Sequence, residues 1–246
     1  MDNQTAIIIP ARYESSRLRG KPLIEVGGKP IIQWVFEKAV KAQLADRVII
    51  ATDNEQIYET SLMFGAEAEM TLDTHNSGSD RIAEVAERHP EISYIINLQG
   101  DEPLINPDTI DIVIRLLKED SNADISTLVH EITDEKDITD PNLVKCVFDN
   151  NGYAMYFSRS KIPFERNTGH AKFYGHLGIY GYKRDALFRM TGANQSSLEL
   201  AESLEQLRAL QMGMKIKVSV VEDSPIGIDT IEDLNNFKNR IMASQL

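Results

Sequence analysis

Ala6-Ile7-Ile8-Ile9-Pro10-Ala11-Arg12-Tyr13-Glu14-Ser15-Ser16-Arg17-Leu18-Arg19-Gly20-Lys21-Pro22 is the stretch that decides how this chain is read. The continuous apolar run Ala6–Ile9 has the pattern of a strand buried on both faces. A basic loop follows it directly. Ligands of open α/β sheets bind beyond the carboxyl ends of strands, so the loop is well placed to hold one.

Working outward, the same pattern recurs. Apolar residues at helical spacing over Ile31–Gln43 predict a helix. Arg47–Ala51 predicts a second buried strand, ending at Thr52-Asp53. Asn54 can cap a helix that runs to Phe64 and stops at Gly65. Ser79 or Asp80 starts another helix, reaching about Arg88. Ser93–Leu98 predicts a third strand, ending at Gln99-Gly100-Asp101-Glu102-Pro103. Pro107 opens a helix to about Lys118, and Ile125–Val129 predicts a fourth strand. Strands alternating with amphipathic helices make βαβ units, so the expected fold class is α/β with a mainly parallel central sheet flanked by helices.

The second half reads differently. Val144–Phe148 and Tyr153–Phe157 flank Asp149-Asn150-Asn151-Gly152, a hairpin signal. Gly175–Tyr182 is extended, Leu198–Met212 helical, Ile216–Val221 a strand and Ile231–Met242 a terminal helix. No repeat or linker stands out. The expectation is one α/β domain over residues 1–246, with a β-rich excursion at about 130–190 as a candidate dimer surface.

Composition excludes several classes of function. A chain of 246 residues can bury a sizeable core unaided. Its single cysteine, Cys146, has no intramolecular disulfide partner, which fits a reducing compartment. The net charge of −12 argues against non-specific nucleic-acid binding, which needs clustered Lys and Arg. No run approaches the roughly 18 apolar residues of a membrane span. The N-terminus lacks the basic start and apolar stretch of a signal peptide. A soluble, cytoplasmic protein is expected.

The charge is uneven: net 0 over residues 1–60, −14 over 61–140 and +2 over 141–246. The acidic middle reads as solvated helix faces. Within the first segment, Arg12–Lys29 is locally basic. It offers serines, arginines and a lysine, the donors a triphosphate needs. The spacing matches neither a Walker loop nor a Gly-x-Gly-x-x-Gly turn, and a solvated basic loop explains the charges equally well.

Asp101 lies just past the third strand, and Asp229 precedes the last helix. Carboxylates at loop ends suit Mg²⁺, which takes one or two of them besides water and phosphate oxygens. A turn residue at Asp101 and a helix cap at Asp229 remain open. His75, His130 and His170 lack metal-ligand spacing and are expected at the surface. His176 and Tyr180 fit core packing in a strand, and Glu205 fits an exposed helix face.

Together these segments resemble the sugar-acid cytidylyltransferases. Ile8-Ile9-Pro10-Ala11-Arg12, Arg17-Leu18-Arg19-Gly20-Lys21-Pro22-Leu23 and Gly28-Lys29-Pro30-Ile31-Ile32 are similar to that family's opening. Ala51-Thr52-Asp53, Gly78-Ser79-Asp80-Arg81 and Asn97–Pro103 follow in the family's order. Tyr156-Phe157-Ser158-Arg159, His176–Tyr182 and Leu204-Glu205-Gln206-Leu207-Arg208 narrow the resemblance to 3-deoxy-manno-octulosonate (Kdo) cytidylyltransferases. It runs from about Ala6 to about Leu234.

The resemblance implies that CTP and Kdo give CMP-Kdo and pyrophosphate, with Mg²⁺, a cytoplasmic homodimer and a role in lipopolysaccharide biosynthesis. It implies that Arg12 and Lys21 bind the triphosphate with Arg17 nearby, and that Pro10, Ala11 and Gln99 contact cytidine. Arg12, Lys21 and Asp101 would be catalytic, and Asp101 and Asp229 would hold Mg²⁺. Arg159, His176, Tyr180, Glu205 and Gln206 would line the sugar-acid pocket.

Three departures bear on the acceptor. Arg19 stands where the family has proline. Ser77-Gly78-Ser79 replaces Ser-Gly-Thr, and Ser224-Pro225-Ile226-Gly227 replaces Pro-Gly-Thr-Gly. They leave 8-amino-Kdo and a sialic acid as alternative acceptors. An inactive nucleotide-binding protein is the alternative of a different class.

Overall fold

A computed structural model describes residues 3–14, 18–222 and 227–244. The chain divides into two compact units, Met1–Asp111 with Pro225–Leu246, and Ile112–Ser224.

The first unit is built on β1 (Gln4–Ala11), whose Ile7, Ile8 and Ile9 are wholly buried. A short ribbon of β2 (Glu25–Val26) and β3 (Lys29–Pro30) precedes α1 (Ile31–Ala39). Then come β4 (Arg47–Thr52), α2 (Glu55–Met63), β5 (Glu67–Met70), α3 (Gly78–Arg88) and β6 (Ile92–Asn97). β1 pairs in parallel with β4 on one side and β6 on the other, and β5 adds in parallel to β4. Burial on both faces is what the unbroken apolar runs require.

Helix boundaries follow side-chain chemistry. Asn54 caps α2 by accepting from the Ile57 N–H. Ser77, two or three positions before the expected start, caps α3 in a reciprocal box with Asp80. α4 (Pro107–Glu119) begins in this unit, and the division of the chain falls within it.

The second unit has β7 (Ile125–Ile132) at its centre, then α5 (Glu135–Thr139), β8 (Lys145–Phe148), β9 (Ala154–Ser158), β10 (Phe173–Lys183), α6 (Arg184–Thr191), α7 (Ser197–Glu202), α8 (Gln206–Gln211) and β11 (Ile216–Val220). β7 is parallel to β11 and antiparallel to β10. β8 and β9 form the expected hairpin, with the Asp149 carboxylate accepting from the Asn151 and Tyr153 N–H groups. The excursion is thus a hairpin pairing through β8 with the long strand β10.

One expectation needs correction. Leu198–Met212 is not one helix: α7 and α8 are separate, and Ser203 between them has φ of 52°. Apolar spacing continues across the break in sequence, but only α8 buries its apolar residues, Leu207 and Ala209; on α7 the buried residue is Glu199 and Leu200 is exposed. The corner is braced by Arg208, which donates to the Glu199 carboxylate and to the carbonyls of Met190 and Ala193. The chain then returns to the first unit with α9 (Ile231–Ser244).

Candidate active site

In the first unit, a cleft of about 370 Å³ opens at the carboxyl end of β1, lined by Pro10, Ala11, Arg12, Lys21, Gln99 and Asp101 among others. Its floor depends on Gly100: a Cβ there would come within 2.9 Å of the Pro10 carbonyl oxygen. Only glycine lets the loop after β6 lie so close to the end of β1. Arg12 is fixed by Nη2, which donates to the carbonyls of His75 (2.5 Å) and Ser77 (3.1 Å). Burial, and then the neighbouring Arg81, push its pKa down. A second charge in the cleft is therefore costly until an anion enters. Gln99 donates to Asn97 Oδ1 at 3.2 Å.

Gly20, with φ of 67°, turns the chain into a 3-10 turn at Lys21–Leu23. Lys21 Nζ then donates to Asp101 Oδ2 (2.6 Å), Asp229 Oδ1 (3.3 Å) and the Ile228 carbonyl (2.8 Å). Two aspartates more than a hundred residues apart in sequence thus face one cation. The loop bearing Asp229 is pinned by a bond from the Ile228 N–H to the Asp101 carbonyl. Behind it, Ile228, Leu234, Phe237 and Ile241 pack with Val26 and Ile31, and Trp34 meets Phe237 edge-on.

Asp229 is not the cap of α9. The Thr230 hydroxyl accepts from the Asp233 N–H, while the Asp233 carboxylate accepts from the N–H groups of Asp229 and Thr230. The Asp229 carboxylate faces Lys21 instead.

Glu102 is a third carboxyl at this point and was not singled out from sequence. It is 8% exposed, and Oε2 has no hydrogen-bond partner. Burial, and then the charges of Asp101 and Asp229, push its pKa up to about 8. Its neighbour Asp101 is marked by its place at the end of a strand, where a carboxylate suits a hard cation; nothing in the sequence marks Glu102 as buried.

Among the described residues, Glu67, Glu69 and His89 also lie close enough together to share a metal. Their carboxylates are already committed to Arg47 and Arg88. The aspartate pair could hold Mg²⁺: two carboxylates converge on one positive charge beside the β1 cleft.

In the second unit, Arg159 is held by three carbonyls. Nε donates to Glu202 (2.7 Å), Nη1 to Pro141 (3.0 Å) and Nη2 to Ser203 (3.3 Å). Glu202 also binds the Arg159 N–H and the Ser158 hydroxyl through its carboxylate. Beneath it, the wholly buried Lys145 gives its three N–H donors to the carbonyls of Asp140, Leu143 and Arg159. The corner that orients Arg159 leads directly into Glu205, which is half-buried, and Gln206, which is buried.

His176 and Tyr180 lie on β10, their ring centroids 5.1 Å apart, with Phe157 against the other side of His176 at 5.2 Å. Four residues of regular strand span roughly 13 Å. A bulge between Leu177 and Tyr180 closes the gap. Burial lowers the His176 pKa to about 3 and raises that of Tyr180, to which Tyr182 and Glu205 add.

The structure thus gathers Pro10, Ala11, Arg12, Lys21, Gln99, Asp101 and Asp229 within the first unit. Within the second, Arg159 joins the Glu205–Gln206 corner, and His176 joins Tyr180. Arg17 and Ser224-Pro225-Ile226 lie outside the described residues. His170 is exposed as expected, but His75 and His130 are half-buried. His75 is paired with Glu84, and His130 is packed against Gly175, so the lack of metal spacing did not imply exposure.

Comparison with known proteins gives the family. The sequence profile of the family described as Cytidylyltransferase matches residues 6–216. The 3-deoxy-manno-octulosonate cytidylyltransferase of Fusobacterium nucleatum is 46% identical over 239 residues, covering 97% of each chain. That of Thermodesulfovibrio yellowstonii is 49% identical over 243 residues, covering 94% of this chain and 95% of its own. A solved CMP:2-keto-3-deoxy-manno-octonic acid synthetase complexed with CTP superposes with a TM-score of 0.94 at 40% identity, over 99% of this chain and 100% of that one. The chain belongs to the cytidylyltransferase family, among the 3-deoxy-manno-octulosonate cytidylyltransferases.

Proposed function

We infer that this protein transfers CMP from CTP to the anomeric hydroxyl of Kdo, giving CMP-Kdo and pyrophosphate. The observation that carries this reading is the convergence of Asp101 and Asp229 on Lys21, which lines the β1 cleft, in a chain 46% and 49% identical to enzymes of that name.

In this reaction the hydroxyl oxygen bonds to the α-phosphorus, the bond from that phosphorus to the bridging oxygen breaks with its electron pair leaving on pyrophosphate, and the hydroxyl proton passes to solvent water. Such transfer depends on alignment and charge neutralisation rather than on covalent help from the protein. Arg12, held by two carbonyls, offers its remaining N–H groups to phosphate oxygens. Lys21 adds a compact charge that neutralises the departing pyrophosphate. Asp101 and Asp229 would hold Mg²⁺, which would supply neutralisation of the phosphate charge. Pro10, Ala11 and Gln99 contact the cytidine. Arg159, His176, Tyr180, Glu205 and Gln206 take the sugar acid, with the Arg159 guanidinium on its carboxylate.

We further propose a homodimer through the β8–β9 hairpin, a cytoplasmic location and a role in lipopolysaccharide biosynthesis. No helix among the described residues is long and apolar enough to cross a membrane. A sedimentation measurement giving only the monomer mass of 27.7 kDa would overturn the dimer. The function is tested by incubating the protein with CTP, Kdo and Mg²⁺ and identifying the product. CMP-Kdo formed in step with pyrophosphate supports the assignment. CTP hydrolysis to CMP with no sugar nucleotide contradicts it.

A further inference from the structure

Thr127 is wholly buried at the centre of β7, and its hydroxyl meets three partners. Oγ1 lies 2.9 Å from His176 Nε2, 2.8 Å from the Ile179 carbonyl and 3.3 Å from the Leu177 carbonyl. The two-residue bulge creates this arrangement. Thr127 is in register with Tyr180 and Leu128 with Leu177, so Gly178 and Ile179 have no partner on β7, and the carbonyls of Leu177 and Ile179 both turn onto one hydroxyl.

The proton count is decisive. A threonine hydroxyl has one proton and two lone pairs. Carbonyl oxygens only accept, so the hydroxyl proton goes to a carbonyl, that of Ile179 being nearer. Were it given to His176 Nε2 instead, the Ile179 and Leu177 carbonyl oxygens would face the lone pairs of the threonine oxygen with no proton between them. Nε2 must therefore carry a proton and donate it to Oγ1. The ring is neutral at ordinary pH, so Nδ1 is a bare acceptor, and it makes no hydrogen bond among the described residues.

We propose that Thr127 is a positioning residue: the relay from His176 Nε2–H to Thr127 Oγ1–H to the Ile179 carbonyl fixes the histidine tautomer, so that Nδ1 accepts a hydroxyl of the sugar acid. The ring contacts with Phe157 and Tyr180 hold the plane of the imidazole; the relay sets which nitrogen has the lone pair. This rests on the reading that His176 lines the sugar-acid pocket. It adds the residue that gives the pocket a hydrogen-bond acceptor there rather than a donor. A hydroxyl can satisfy that acceptor, whereas a bare ether oxygen cannot.

Two measurements separate the relay from the pocket assignment. The ¹⁵N shifts of His176 in the full-length protein report the tautomer directly. The wild type is expected to show protonated Nε2 and bare Nδ1, and Thr127→Val is expected to lose that preference. In the same variant the KM for Kdo should rise about tenfold, the equivalent of one misaligned hydrogen bond, with CTP KM unmoved. Thr127→Ser should restore both the tautomer and the KM. A wild-type Nδ1–H tautomer, or one unchanged by Thr127→Val, overturns the relay. A tautomer that shifts while Kdo KM stays constant overturns the link to the sugar acid and removes His176 from the pocket, leaving the relay itself standing.

Discussion

Lys21 Nζ lies 2.6 Å from Asp101 Oδ2, and the same ammonium reaches Asp229. The lysine thus faces the two carboxylates proposed to hold a divalent cation, and it is expected to compete with that cation. Replacing Lys21 by methionine keeps the side chain's length and removes its charge. Mn²⁺ titration without nucleotide is expected to show tighter binding to Lys21→Met than to wild type. Turnover should fall by about 10²–10³, the cost of removing one preorganised group from a developing charge. Weaker metal binding in the variant would refute the competition.

Arg159 is tied by three carbonyls before any ligand arrives, so its orientation is prepaid. Arg159→Ala is expected to raise the KM for Kdo by about tenfold or more, the loss of one charge-assisted hydrogen bond, with little change for CTP. Arg159→Lys should not rescue it, because an ammonium cannot reproduce the planar fork. Steady-state kinetics with each substrate varied in turn checks the order; a larger effect on CTP would refute the assignment.

His176 carries a stability signature. Its folded pKa of about 3 lies below the ordinary 6.5. Between these values the unfolded chain binds a proton that the folded one refuses, so stability falls as pH drops below 6.5. Burial lowers the pKa of His130 as well, and it contributes in the same direction. The melting temperature of His176→Asn is therefore expected to decline less steeply than wild type from pH 7 to pH 5. Parallel curves would contradict the neutral, buried ring.

Much of the fold was legible because its signals are local. The run Ile7–Ile9 announced a central strand, Asn54 a helix start and Asp149–Gly152 a hairpin, each through chemistry confined to a few residues. The break at Ser203 was not legible, since apolar spacing is preserved through a corner that only the buried Glu199–Arg208 pair reveals. Asp229 showed the same limit. Its position before a helix suits a cap, but the Thr230 hydroxyl takes that role by accepting from the Asp233 N–H, and the Asp229 carboxylate meets Lys21. Glu102, Lys145 and Thr127 matter through burial and through partners distant in sequence, such as the Arg159 carbonyl on Lys145 and His176 on Thr127. Spacing carries no trace of those contacts. The bulge that sets His176 against Tyr180 is likewise invisible in an alternating strand sequence.

The most direct test of the account is pyrophosphate release from CTP and Mg²⁺ with Kdo, 8-amino-Kdo and a sialic acid measured side by side. The account predicts release with Kdo, abolished by Asp101→Asn. No release with Kdo despite demonstrated CTP binding, or full release by Asp101→Asn, would contradict it.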